Sequence, residues 1–426
     1  MKTLNLSPLD PDFVQNPYAA YTRARAQGPV LFWQDYGMMA AFDAATVQAL
    51  LRDRRLGRET PADQRKPTPD HMRDFYAVED QSMLELEPPT HTRLRGLVLR
   101  AFTSRRIAGL APEIEEIARA LLADLPKGEA FDLIPAFCTQ LPVRIIARLL
   151  GVPEDMWPDL LRWSNDMVAV YQIGRTRATE EAANTAAADF TAFLRRYVNE
   201  RRQDPRDDLI TQLIAAEEDG EKLSTDALIG TCILLLNAGH EATVHALGNG
   251  IACLLENNTP ASAFAAARAW RTKVLAPLLD TPLPDRTLVN VNFPALAPDA
   301  INATVEEILR YDPPLHVFER FAYEDIELGD VTLEKGRKIA LVLGAAGRDP
   351  ALYDQPDVFD PTRPAKAHAA FGGGLHFCVG APLARLEMQI ALRALFDHAP
   401  NLQLAEAPRF ANTYHFHKLE RLMVTI

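Results

Sequence analysis

The chain has 426 residues, 48% of them hydrophobic, and a formal net charge of −12. That is enough apolar material for a large core, in one big domain or two fused lobes, and the acid excess argues against general nucleic-acid binding. Four scattered cysteines without CxxC spacing exclude a cysteine-rich zinc module or an iron–sulfur cluster and suit a reducing cytoplasm.

The opening MKTLNLSPLDPDF has neither the apolar core of a signal peptide nor the pattern of an Arg-rich presequence. Residues 29–33 and 38–42 read as a short hairpin around Tyr36 and Gly37, with a helix from Asp43. The polar stretch 60–87, which carries Phe75, Tyr76, Met83 and Leu84, reads as a long loop, and such loops often carry function. Helical periodicity dominates from Thr90 to about Ala216, with a stop at Gly151-Val152-Pro153. A long helix capped at Ser224 runs to about Glu256, roughly 45–50 Å at 1.5 Å per residue. Asn237, His240 and Glu241 interrupt its apolar run, so no membrane span is expected. A helix over 303–311 stops at Pro313-Pro314. Strands follow at 324–328, 331–333 and 338–343, then an irregular stretch over 349–366 and a terminal hairpin over 414–426. The predicted class is mainly α with a minor antiparallel β region.

Four clusters carry candidate chemistry. His91 and Arg95 are four apart and share a helix face, where they can grip an anion; a solvated charged face has the same spacing. Gly239 interrupts the long helix at a cost of about 1 kcal/mol relative to alanine. Thr243, one turn on, can take the Gly239 carbonyl out of the ladder and open a bulge, while Glu241 points elsewhere. A packing glycine beside a surface glutamate is the plain alternative. Glu306 and Glu307 are both spaced to pair with Arg310, and spacing alone does not choose between them. The fourth cluster is FGGGLHFCVG, residues 371–380.

In that loop glycines let the backbone bend tightly around Cys378, and the helix from Ala381 points its positive end at the sulfur. Both effects favour a thiolate. A cysteine-protease dyad with His376 lacks a third group, and zinc requires more ligands than these two. The Lys and Ser/Thr of a phosphate loop are also missing. A single thiolate ligand to a metal whose other ligands are not protein remains, and haem iron fits that description.

Residues Phe371, Gly372, Gly374, His376, Cys378 and Gly380 match the haem-binding signature of the cytochrome P-450 monooxygenases, and the chain resembles the soluble bacterial branch of that family over almost its whole length. The resemblance implies haem b (heme b, iron protoporphyrin IX) with Cys378 as metal ligand, and a triangular helical domain with a small β-rich lobe. It implies that Gly239 belongs to an oxygen-binding segment and that Glu241 and Thr243 form an acid–alcohol pair delivering protons; many members have a hydroxyl where this chain has Ala242. His91, Arg95, Arg320 and His376 would hold the haem propionates. Glu307, Arg310 and Arg363 would form a structural network, with Arg348 competing for the last place. By family position Met83, Leu84, Tyr171, Leu235, Ala238, Val317, Phe318 and Phe416 would line the substrate pocket.

One stretch departs from the family pattern. Residues 258–300 form an atypical, proline-rich insertion before the Glu307 helix, loosely similar to part of a SurE-type phosphatase without that family's aspartate-rich metal site. The rest reads as one domain. The resemblance implies a cytoplasmic, monomeric monooxygenase that takes O2, a small apolar or amphipathic organic substrate, and electrons from a separate ferredoxin or flavodoxin with its NAD(P)H-dependent reductase. Neither nucleic acid nor a membrane is expected as partner. Arg105 and Arg106 are candidates for a basic docking patch. A peroxide-driven hydroxylase and a haem-binding or gas-sensing protein without turnover are the alternatives, and the acid–alcohol pair argues against both.

Overall fold

The computed structural model describes residues 1–172, 174–218, 221–257, 300–364, 366–413 and 416–426. The insertion expected over 258–300 lies outside the described residues except for Ala300, which opens a helix.

The helix Thr225–Glu256 crosses the helical body and is buried on nearly all sides, as an all-round apolar sequence requires. Ser224 caps it, its hydroxyl accepting from the Ala227 amide at 3.1 Å. By length and composition it is long enough to cross a membrane, but its flanks pack against other helices of this chain. Gln140–Leu150, Arg177–Gln203, Ala300–Tyr311 and Ala381–His398 all pack on it.

The sheet has six strands, in the order Thr3–Leu4, Val30–Trp33, Met38–Ala41, Lys338–Val342, Val317–Ala322, Leu56–Gly57. The predicted hairpin is present, with Val30 opposite Ala41 and Gly37 at φ 61° in its turn. Its neighbours make the sheet mixed instead of antiparallel, because Thr3–Leu4 and Lys338–Val342 both pair in parallel. Asp43 caps the next helix, Ala44–Leu50, accepting from the Thr46 amide at 2.9 Å.

Two expected elements come out differently. The stretch 60–87 contains a helix, Arg73–Glu79, that buries Phe75 and Val78. Its amide cap comes from far away: Asn184 Oδ1 accepts from the Asp74 and Phe75 amides at 2.8 and 3.1 Å. The terminal hairpin does not form either. Leu419–Arg421 pairs with Arg409–Phe410, while Met423–Thr425 joins Gln403–Leu404 and Phe131–Asp132. Residues 414 and 415 of that expected hairpin lie outside the described residues.

Candidate functional site

The Cys378 loop is built as its glycines foretell. Gly372 and Gly374 have φ of 70° and 65°, where other residues are strained. A Cβ on Gly374 would stand 2.5 Å from the Leu51 carbonyl oxygen. The Cys378 amide donates to the Phe371 carbonyl at 3.0 Å and closes the loop. The thiol is partly exposed. Burial pushes it up, and the Gly380 and Ala381 amides with Arg95 and Arg385 offset only part of that. The loop therefore pulls toward thiolate as expected, but the net shift favours the thiol until a metal displaces its proton.

Around the loop stand basic groups, some with buried nitrogens that have no partner. Arg320 is 3% exposed, its Nη1 donates to the Glu319 carbonyl at 2.8 Å, and its Nη2 is buried without a partner. Burial and the neighbouring Arg58 lower its guanidinium to about 10. His91 lies one helical turn from Arg95 on Thr90–Ala101, with Nδ1 buried and unpaired. Burial, with His376 and Arg95 nearby, takes it down to about 4. The rings of His91 and His376 are 4.4 Å apart, and His376 Nε2 bonds the Glu87 carboxylate at 2.9 Å.

On the long helix the Thr243 hydroxyl donates to the Gly239 carbonyl at 3.2 Å, as its spacing implies. The helix nevertheless stays α throughout, without the expected bulge. A Cβ on Gly239 would meet Ile146 at 3.4 Å, so this glycine faces a neighbouring helix. The open face of the helix carries Ala238 and, one turn on, Ala242, whereas Glu241 and Thr243 are buried. Glu241 is held by His245 Nε2 at 3.1 Å, His240 Nε2 at 3.5 Å and Lys418 Nζ at 3.8 Å. Burial pushes its carboxyl up, but the His245 hydrogen bond and these charges outweigh that and hold it at about 2.

The choice between the two glutamates is resolved by packing. Glu307 grips Arg310 with two contacts of 2.7 Å, and both side chains are buried. Arg310 also donates to the carbonyls of Gly347 and Pro356 at 2.9 and 2.7 Å. Arg363 Nε lies 3.6 Å from Glu307. Arg348 turns away to the Tyr311 carbonyl at 2.8 Å and Asp357 at 3.4 Å. Arg363 is thus the third member.

A profile of the cytochrome P-450 family matches residues 300–398. The biotin biosynthesis cytochrome P-450 of Bacillus subtilis (strain 168) is 33% identical over 428 residues, covering 99% of each chain. The chain belongs to the cytochrome P-450 family. The 6-deoxyerythronolide B hydroxylase of Saccharopolyspora erythraea is 34% identical over 91% of this chain and 89% of its own. The crystal structure of the P-450 BioI with an acyl carrier protein ligated to hexadec-9Z-enoic acid superimposes with a TM-score of 0.84. It is 32% identical, covering 98% of this chain and 100% of its own.

For a P-450 the family implies haem with a cysteine thiolate ligand, and the residues present fit that group. The unpaired Nη2 of Arg320 is a buried donor awaiting an anionic partner, and Nδ1 of His91 is a second buried polar atom without one; haem carboxylates would provide such partners. Of the expected pocket residues, Ala238 and Tyr171 are exposed, Leu84 and Phe416 are half-buried, and Met83 and Leu235 are buried in the helical core. The strand alternation separates Val317 from Phe318. Val317 packs in the small core beside Tyr18, and Phe318 lies against Gly372 and beneath Arg320.

Several groups at this site were not anticipated. His245 is four after Glu241, a signal present in the spacing. Lys418 carries no such signal. Arg58, with Nε buried and unpaired, binds Glu85 at 2.7 Å beside Arg320. Arg106, a candidate docking charge, is instead paired with Asp207 at 3.3 Å.

Proposed function

We propose that this P-450 monooxygenase uses haem b, ligated by Cys378, to insert one oxygen atom from O2 into a small apolar or amphipathic organic substrate. The observation that carries the reading is the partly exposed Cys378 thiol on its glycine loop, beside buried basic side chains with nitrogens that have no partner. The bound haem supplies oxygen activation at a thiolate-ligated iron. Arg95 and Arg320 would neutralise its carboxylates by charge, and the neutral His91 ring and His376 would add hydrogen bonds to them. Thr243, Glu241 and its partner His245 move protons to the open face at Ala238 and Ala242. A carboxyl held at about 2 carries no proton at neutral pH, so Glu241 enters this route as a carboxylate that orients His245.

In this reading the chain acts as a single catalytic domain and a monomer, in the cytoplasm. Electrons come from a ferredoxin or flavodoxin with its NAD(P)H-dependent reductase. Leu375 and Phe377, 36% and 41% exposed on the cysteine loop, support docking of such a partner there. Relatives named for an acyl-loaded carrier protein complex and for a deoxyerythronolide hydroxylase support a lipophilic substrate. The test is the carbon-monoxide difference spectrum of the reduced, haem-loaded protein. A strongly red-shifted thiolate-type band is expected, and Cys378→Ser should abolish it; retention of the band by Cys378→Ser sinks the reading.

A further inference from the structure

Glu306 takes no part in the Arg310 network, although spacing allows it. Neighbouring residues on a helix point about 100° apart, so Glu307 turns inward to Arg310 while Glu306 faces the helix Ala381–His398. There its carboxylate joins two side chains from opposite ends of the cysteine loop. His368, three residues before Phe371, donates from Nε2 to Glu306 Oε2 at 3.1 Å. Arg385, seven residues after Cys378, donates to the same oxygen from Nη2 at 3.0 Å and to Oε1 from Nε. The Ala370 amide donates to His368 Nδ1 at 3.3 Å, which places the ring proton on Nε2, facing Glu306.

Arg385 also touches the loop. Its guanidinium lies 4.5 Å from the centroid of the Phe371 ring, and the Phe371 carbonyl accepts the Cys378 amide. The three groups shield one another: the His368 side chain is 4% exposed, and Glu306 and Arg385 are about one-third exposed. Burial pushes the Glu306 carboxyl up, but the bonds from His368 and Arg385 outweigh it and hold it at about 2. Glu306 is therefore a carboxylate across the working pH range. Arg385 holds a positive charge against the cysteine loop, and a carboxylate on its guanidinium cancels most of the field that charge would exert there.

We infer that Glu306 is a positioning residue for the thiolate: it clamps the His368 end of the cysteine loop to the Arg385 end, and by neutralising Arg385 it sets the charge that Cys378 experiences. This rests on the haem-thiolate reading above. Removing the carboxylate exposes the sulfur to the full Arg385 charge, and added positive charge favours the reduced, more negative centre. Removing the side chain also releases both ends of the loop.

The experiment uses the haem-loaded full chain and reads the midpoint potential, together with the lifetime of the thiolate-type carbon-monoxide band in mild denaturant. Glu306→Gln, which keeps the shape but not the charge, should shift the potential upward. Glu306→Ala should do the same and shorten the lifetime of the band several-fold, and Glu306→Asp should restore most of both. Val198→Ala, which thins the core of Arg177–Gln203 away from the loop, should lower melting temperature and leave the potential alone. An unchanged potential in Glu306→Gln with an intact band overturns the inference and leaves the haem-thiolate reading standing. So does a shift no larger than that of Val198→Ala. Absence of the band from the wild-type protein overturns the underlying reading instead.

Discussion

Ala242 and Thr243 are neighbours on one helix, yet only Ala242 lies on the open face. The spacing of Thr243 from Gly239 was legible in the sequence, because an i−4 hydroxyl has one carbonyl in reach. The direction in which that pair points was not, since it depends on Ile146 packing from another helix. If Thr243 carries protons, Thr243→Ala should cut product formed per NAD(P)H by roughly tenfold or more, with peroxide released instead. Equal coupling in the variant and wild type would remove Thr243 from the reaction. His245→Asn tests the same route at its next member. It should narrow the pH range over which coupling is maintained while leaving the carbon-monoxide band in place, and an unaltered pH profile counts against it.

Among the elements, the short helix Arg73–Glu79 shows why part of the stretch 60–87 escaped the sequence. Its cap is Asn184, more than a hundred residues away, and no local signal marks its start. Loop glycines and helix caps such as Ser224 act within a few residues and were readable for that reason. At the end of this helix Glu79 accepts a bond from Tyr171, and burial nonetheless lifts its carboxyl from 4.5 to about 7. Between those values the folded state holds a proton that the unfolded state has lost. The contribution to stability is fully present below about pH 4.5 and is lost as pH rises through about 7. Glu79→Gln should therefore gain in melting temperature relative to wild type between pH 5 and pH 8. A constant difference across that range would show that Glu79 titrates normally.

At the scale of the whole molecule, the order of the motifs along the chain was the most legible feature. The assembly of their partners was not: Glu307 meets Arg363, and His376 meets Glu87, across intervals that leave no periodicity. The Glu307–Arg310 pair is buried on both sides, and Glu307→Gln leaves a guanidinium half satisfied. A loss of about 3–5 kcal/mol in unfolding free energy is expected, measured by denaturant titration, with weaker haem retention. A loss under about 1 kcal/mol would class the pair with ordinary surface ion pairs.

The segment from Phe416 onward closes on the long helix in two places. The His417 carbonyl accepts from Asn249 at 2.7 Å, and Lys418 reaches Glu241. Every other described element precedes this segment in the sequence. During synthesis the acid at Glu241 thus gains its lysine only after the helices around it have emerged, and a contact so distant in sequence forms late. A nascent chain halted just before Phe416 can have its cysteine loop complete while Glu241 still lacks that cation. The loop and the surroundings of Glu241 are then completed at different moments in the life of the chain.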